Sequence, residues 1–274
     1  INKKIARIRS QEFLEGKWSK LYNKNNLPID VIISPEIEVA KSLFRRLEAP
    51  GALDNVPFAE GKIKVLEIAV EKNCPVIDLS LKNLTEKFPD FKANIVGTVR
   101  EGKFIFLKKT DKLLEGDKAY VVVSADQITQ ILKAFGHEEK MSKKILIVGG
   151  GNIGLNVAKF LESDFEGARI KIIEKNKERA ELIATELSSS IVICGDALDE
   201  EILKEANIEE IETILALTND DEDNIMVCVL AEKYSPTKRT IAIVNKSNYS
   251  LLQKSLNIDD LVDPRMTTVS RIME

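Results

Sequence analysis

The segment from residue 149 to residue 154 has the residue types and the spacing of a phosphate-binding loop. It fits the G-x-G-x-x-G pattern and comprises Gly149, Gly150, Gly151, Asn152, Ile153 and Gly154. The first motif glycine would make the tight turn out of a strand, the second would let a pyrophosphate approach the backbone, and the third would let a helix pack closely on the sheet. The free N–H groups of that helix would point at the phosphates. This segment therefore predicts a nucleotide site.

A carboxylate at the right distance along the chain strengthens this prediction. Glu174 lies 20 residues after Gly154, at the end of the next predicted strand, where an acidic residue binds the adenosine ribose hydroxyls. The alternative is a solvated glutamate at a strand end. A glutamate here would repel a 2′-phosphate, so NAD or NADH is favoured over the phosphorylated dinucleotide. The same carboxylate suits ADP or ATP equally well.

Further candidates follow two other predicted strands, because ligands bind outside the carboxyl ends of parallel strands. One more candidate lies near the start of a predicted helix. Asp196, followed by Ala197, could accept from an adenine amino group. Thr218 and Asn219 could face the phosphates or the second ribose. In each case the alternative is a helix N-cap. Arg179 could reach a phosphate, or it could be a solvated helix residue.

Alternating elements must position these residues. After a polar linker near residue 140, helical patterns cover 152–163, 176–188, 199–206, 221–234 and 247–256. Apolar, β-branched strands alternate with them over 143–148, 170–174, 191–194, 213–217 and 240–244. This alternation predicts an α/β fold with a doubly wound, Rossmann-like parallel sheet.

The middle of the chain has a different pattern of strands and helices, which predicts a smaller α+β domain. Strands are expected over 63–70, 94–100, 104–107 and 119–124, with helices over 79–88 and 128–135 and a hairpin across Glu101-Gly102-Lys103. The first helix would be capped by Asp78 or Ser80.

An internal repeat accounts for the first 50 residues. Residues 5–8 resemble 241–244, and residues 29–35 resemble 258–264, with an insertion of seven residues between the two matches. We expect three domains: residues 1–50 as the C-terminal part of a first Rossmann-like nucleotide-binding domain, 51–136 as the small α+β domain, and 143–274 as a second Rossmann-like domain, incomplete at its C-terminus. Because the chain begins with Ile1, we expect an internal piece of a longer two-unit protein.

Charge and composition exclude several functions. The chain has 40 basic and 44 acidic residues, a net charge of −4. Residues 143–274 alone carry 16 basic and 24 acidic residues, and such an acidic domain would repel a phosphate backbone, so no nucleic-acid partner is expected. Cys74, Cys194 and Cys228 are too far apart for a metal cluster or a disulfide framework.

The sequence offers little for catalysis. The single histidine, His137, lies in the linker, and no nucleophile–base pair is recognisable. We therefore expect no enzyme and no catalytic or metal-binding residue, with the nucleotide sensed and not consumed. The alternatives are a soluble NAD-dependent dehydrogenase and a structural assembly module with a vestigial loop.

Several stretches resemble one family, the cytosolic regulatory subunits of the Trk potassium-uptake system, which are built from tandem RCK domains that regulate potassium conductance. The resemblance extends over essentially the whole chain. It rests on Ile5–Arg9, Pro50–Leu53, Phe58–Lys62, Val148–Gly154, Gly195–Ala197 and Thr218–Met226.

This resemblance implies binding of NAD, NADH, ADP or ATP, with nucleotide contacts at the glycine loop, Glu174, Asp196, Ala197, Thr218 and Asn219. Arg7 matches an arginine that contacts nucleotide in the family's first domain, although the rest of that first site is absent here. The resemblance also implies a homo-oligomeric ring, peripheral to the inner face of the cell membrane, that gates a potassium-translocating membrane subunit.

Overall fold

The computed structural model describes residues 4–8, 13, 18, 20–22, 26–88, 92–138, 141–234, 239–253 and 255–273. The chain divides into two compact units, one made of Ile1–Leu43 with Ser142–Glu274 and the other of Phe44–Met141. The expected domains 1–50, 51–136 and 143–274 remain predictions. Within the described residues, no helix combines the length and the apolar character needed to cross a bilayer.

The first unit contains a six-stranded, fully parallel sheet. Its strands are β8 (Lys144–Val148), β9 (Arg169–Glu174), β10 (Ile191–Cys194), β11 (Thr213–Ala216), β12 (Arg239–Ile243) and β13 (Asp260–Val262). The spatial order is β10-β9-β8-β11-β12-β13. The order reverses between β8 and β11, which is the point where doubly wound sheets open a crevice for a ligand. The predicted doubly wound fold is confirmed.

Helices lie between successive strands of this sheet, as crossover connections require, and a last helix follows β13. They are α4 (Asn152–Asp164), α5 (Lys177–Glu186), α6 (Glu200–Glu205), α7 (Asp221–Tyr234) and α8 (Pro264–Met273). Strand β8 is buried, with Ile145, Leu146 and Ile147 at 0% exposure. Such a strand is a continuous apolar run in the sequence, because helices cover both faces of the sheet and bury the side chains on each.

The start of the chain adds a small sheet to this unit. Strand β1 (Ile5–Arg7) pairs in parallel with β2 (Val31–Ile33), and α1 (Pro35–Glu48) follows. Helix α8 lies against β2. The pairs β2–α1 and β13–α8 are the segments matched by the internal repeat, and each has a short strand followed by a helix that begins at a proline.

The second unit is an antiparallel sheet with two short helices. The strands are β3 (Ala52–Phe58), β4 (Ile63–Ala69), β5 (Ala93–Arg100), β6 (Lys103–Phe106) and β7 (Lys118–Ser124), in the order β3-β4-β7-β5-β6. Helices α2 (Leu81–Lys87) and α3 (Ile128–Ala134) pack on it through Leu84 and Ile131, which share a core with Leu66 and Val121. The predicted α+β domain and its β5–β6 hairpin are confirmed. Ser80, not Asp78, caps α2 by accepting from the Asn83 N–H.

Several elements differ from the sequence prediction, and two of them, strand β13 and helix α8, lie beyond the last predicted element at 247–256. Strand β3 was not predicted because Asp54, Asn55 and Pro57 are unfavourable in strands, but β3 is an edge strand, where proline is tolerated. Helix α1 was also not predicted. The helix predicted over 247–256 is wrong, because this segment forms a five-residue 3₁₀ helix, Ser247–Leu251, whose serines and asparagine favour local turns over a long α-helix.

In the second unit, an arginine pairs with a buried carboxylate at the turn before β7. Arg100 donates from Nε to Asp117 Oδ1 (2.8 Å) and from a terminal nitrogen to Asp117 Oδ2 (2.7 Å), and the Leu114 N–H also donates to this carboxylate. Asp117 is 1% exposed. Burial alone would raise the pKa of Asp117, but the Arg100 and Leu114 hydrogen bonds outweigh burial and lower that pKa.

We expect Arg100→Met to destabilise the second unit by about 2–4 kcal/mol, because it leaves a buried carboxylate without its counter-ion. Hydrogen exchange should accelerate in amides of β5 and β7 and not in β8. Lys118→Met, which removes the more exposed pair with Glu67, is the control and should cost less than about 1 kcal/mol. Equal effects of the two variants would contradict the special role of Arg100.

A second carboxylate joins α4 to the loop before β10. Glu162 accepts from the N–H groups of Ser188, Ser189 and Ser190 and from the Ser190 hydroxyl, at 2.7–2.9 Å. Burial by itself raises the pKa of Glu162, but these four donors outweigh it and bring the pKa to about 2.

Because the folded pKa lies below the ordinary value, Glu162 stabilises the fold above about pH 4.5, and this contribution is lost as the pH falls towards 2. We expect Glu162→Gln to lower the free energy of unfolding by about 1–2 kcal/mol at pH 7 and by much less at pH 3. Urea denaturation at both pH values measures this. Glu166→Gln, at an exposed position, should show no such difference, and a pH-independent cost for Glu162→Gln would contradict the account.

Candidate functional site

A cleft opens at the carboxyl ends of the parallel strands, on both sides of the point where the strand order reverses. Seven of the predicted site residues line it: Gly149, Gly151, Glu174, Asp196, Ala197, Thr218 and Asn219. They come from the loops after β8, β9, β10 and β11, so the fold brings together residues that lie up to 70 positions apart in sequence.

At two positions in the glycine loop, other backbone atoms lie too close to leave room for a side chain. Gly149 has a φ of +102°, and a Cβ there would lie 3.0 Å from the Leu217 carbonyl and the Thr218 nitrogen. A Cβ on Gly154 would lie 2.0 Å from the Gly149 carbonyl oxygen, so helix α4 can touch the loop only where no side chain intervenes. Both findings agree with the turn and packing roles predicted for the first and third glycines.

Gly151 differs from the other two motif glycines. A Cβ added there meets no atom within 4 Å, so internal packing does not require a glycine. Gly151 is the N-cap of α4 and offers no side-chain cap. The first N–H groups of α4, which include those of Asn152 and Ile153, have no acceptor within the helix. The loop therefore presents an open backbone surface at the positive end of a helix dipole, which favours an anionic group.

Glu174 and Arg179 hold the loop through the two backbone polar groups of Gly150. The Gly150 N–H donates to Glu174 Oε2 (2.7 Å), while Arg179 Nε donates to the Gly150 carbonyl (2.8 Å). Glu174 Oε1 also accepts from the Asn176 N–H (2.8 Å). Arg179 is therefore bonded to the loop and is not a solvated helix residue. Glu174 both fixes the loop and lines the cleft. Each carboxylate oxygen keeps a lone pair for a further donor.

Asp196 lies across the cleft with a cation that was not predicted. Its Oδ2 accepts from Lys175 Nζ (2.6 Å) and its Oδ1 from the Leu198 N–H (3.0 Å). The Lys175 hydrogen bond lowers the pKa of Asp196. The N-cap of α6 is Asp199, so Asp196 is not the helix cap. Lys175 also lines the cleft, and its position directly after Glu174 was the only sequence signal for it.

On the β11 side, the helix N-cap is again a residue next to the predicted site residues and not one of them. Asp220 accepts from the Asp223 N–H (3.0 Å) at the start of α7, so neither Thr218 nor Asn219 is the cap. Thr218 is bonded by Asn224, a buried residue of α7 that was not predicted as functional. Arg7 lies on β1, and the structure does not place it among the cleft-lining residues, so its nucleotide role remains a prediction.

We expect Gly154→Ala to destabilise the first unit by about 3 kcal/mol, since its methyl group would collide with backbone. Gly151→Ala is the matched control, with one methyl group added on the same loop and an expected change below about 0.5 kcal/mol. Thermal or urea denaturation of both variants measures this difference. Equal stability of the two variants would contradict the packing argument.

The parallel sheet with strand order β10-β9-β8-β11-β12-β13, together with a glycine loop at its switch point, defines a Rossmann-like domain of the type that binds nucleotides. Comparison with known families agrees. Residues 145–264 match the model of the TrkA-N domain, and residues 65–136 match the model of the TrkA-C domain. The chain therefore contains a TrkA-N domain and a TrkA-C domain.

Individual relatives agree with this assignment. The chain is 45% identical over 271 residues to the Trk system potassium uptake protein TrkA of Azorhizobium caulinodans, covering 99% of this chain and 59% of that protein. It is 34% identical over 270 residues to the protein of the same name from Vibrio alginolyticus, covering 98% of this chain and 58% of that one. The chain thus spans a little over half the length of these relatives.

Solved structures support the fold. The GsuK RCK domain superimposes with a TM-score of 0.64 at 19% identity, covering 99% of this chain and 55% of that chain. A GsuK channel bound to NAD superimposes with a TM-score of 0.65 at 20% identity, covering 98% of this chain and 46% of that chain. At these identities the likeness establishes the shared fold.

Proposed function

We propose that this chain is the nucleotide-sensing part of a potassium-uptake regulatory subunit, and that its cleft binds NAD, NADH, ADP or ATP without turnover. The observation that carries the proposal is the open backbone at Gly151, above the uncapped start of α4 and beside Glu174. A pyrophosphate fits this position because no Cβ blocks its approach to the N–H groups.

Electrostatics restrict the ligand class. The Glu174 carboxylate lines the cleft where the adenosine ribose would lie, and it favours hydroxyl groups over a 2′-phosphate. The surrounding domain is acidic, so a phosphate ligand must be held by local N–H groups and by Lys175. We therefore expect NAD(H) or adenine nucleotides in preference to their 2′-phosphorylated forms.

The potassium-related part of the proposal rests on the relatives' names and on the likeness to a channel that carries RCK domains. The subunit would assemble as a homo-oligomeric ring on the inner face of the membrane and dock on a potassium-translocating membrane subunit. A nucleotide that binds one ring conformation better shifts the ring towards it. A coupling of about 1–3 kcal/mol would change the ratio of open to closed rings about 5- to 150-fold.

Calorimetric titration of the 274-residue chain with NAD, NADH, ADP and ATP tests the binding step. We expect at least one of these ligands to bind, and Gly151→Ala to weaken that ligand at least about tenfold because the methyl group occupies the phosphate's approach. Since this variant should fold normally, lost binding cannot be ascribed to lost stability. Absence of binding by the unmodified chain would contradict the proposal and favour a structural module.

Potassium flux in the intact two-subunit system tests the regulatory step. The bound nucleotide should change the flux, and Gly151→Ala in the whole subunit should abolish that response. Steady consumption of NADH with carbonyl substrates would instead support a dehydrogenase, and binding without a change in flux would contradict gating.

A further inference from the structure

A buried asparagine behind the cleft connects two strand ends. Asn224 lies in the first turn of α7 and is 0% exposed. Its Oδ1 accepts from the Thr218 N–H (2.9 Å) and lies 2.8 Å from the Thr218 hydroxyl. Its Nδ2 donates to the Thr218 carbonyl (3.1 Å) and to the Ile243 carbonyl (2.9 Å). Both amide hydrogens and both acceptor positions of this side chain are therefore used.

This side chain takes the place of a peptide group where the sheet ends. The β11–β12 pairing stops at the pair Ala216 and Ala242. Beyond that pair the chain of β11 turns into the cleft, and the Asn224 carboxamide bridges Thr218 to Ile243, the last residue of β12. Because the carboxamide satisfies the N–H, the carbonyl and the hydroxyl of Thr218 together, it fixes both the backbone and the side chain of that residue.

Thr218 in turn lies against the glycine loop. The Thr218 nitrogen lies 3.0 Å from the position that a Cβ on Gly149 would occupy. Thr218 and Gly149 both line the cleft. A shift of Thr218 would therefore move the β11 wall of the cleft. It would leave Glu174 and Asp196 in place, because Glu174 ends β9 and Asp196 follows β10, on the other side of β8.

We propose that Asn224 is a positioning residue that acts through Thr218 and determines how tightly the cleft holds the part of a nucleotide beyond its first phosphate. In a doubly wound sheet the two halves of a dinucleotide lie on opposite sides of the switch point. Glu174 and Asp196 are on the side of the adenosine half, and Thr218 is on the side of the other half. This inference rests on the proposed nucleotide-binding function and adds to it which residue governs the second half of the ligand.

The ratio of NADH to AMP affinity tests this inference. Asn224→Asp keeps the size of the side chain but replaces both N–H donors by an acceptor that faces two carbonyl groups. We expect its affinity for NADH to fall about 10- to 100-fold, while its affinity for AMP changes less than about twofold. A residue with only a structural role would weaken both ligands equally or neither. Asn224→Ser, which adds no buried charge, provides the same readout if the first variant does not fold.

The matched control is Asp221→Asn, one turn earlier on α7. Asp221 accepts from Asn245 and Lys246 backbone N–H groups (2.9 Å), so this variant also loosens α7 from the segment after β12 without touching Thr218. Its ratio of NADH to AMP affinity should equal that of the unmodified chain. An unchanged ratio in both Asn224 variants overturns this inference alone. If the unmodified chain binds none of NAD, NADH, ADP, ATP and AMP, the proposed function and the inference are overturned together.

Discussion

The close approach of helix α4 to the glycine loop is the constraint on which the rest of the site depends. The Gly149 carbonyl occupies space that any side chain at position 154 would need, and Gly149 itself leaves no room for a side chain beside Leu217. Only with both contacts made does the start of α4 lie at the end of β8, between the loops after β9 and β11. The N–H groups of that helix then face the cleft, and the residues of four strand ends surround them.

Polar contacts complete what this packing begins. Glu174 accepts from the Gly150 N–H and Arg179 donates to the Gly150 carbonyl, while Asn224 bonds Thr218 on the opposite wall. Each contact ties a loop of the cleft to a neighbouring strand end or helix. The cleft is therefore preorganised by side chains whose hydrogen bonds are made within the protein, so a ligand would not have to order them.

The parallel sheet and the glycine loop could be predicted from the sequence, because both depend on local patterns. A buried strand such as β8 is a continuous apolar run, and a glycine motif has fixed spacing. The sequence could not predict hydrogen-bond partners that depend on three-dimensional packing. Arg179 bonds Gly150, 29 positions away, and Asn224 bonds Ile243, 19 positions away. Strand β3 was missed because Pro57 is tolerated only at a sheet edge, and edge position is a property of the fold.

Hydrogen exchange of the chain with and without NADH tests the central claim most directly. The account predicts that NADH slows exchange in the amides of residues 149–155 and 218–220, which come from both walls of the cleft, and leaves the antiparallel sheet of residues 52–124 unchanged. Protection confined to residues 52–124, or no protection at the glycine loop at saturating NADH, would contradict the assignment of the cleft as the nucleotide site.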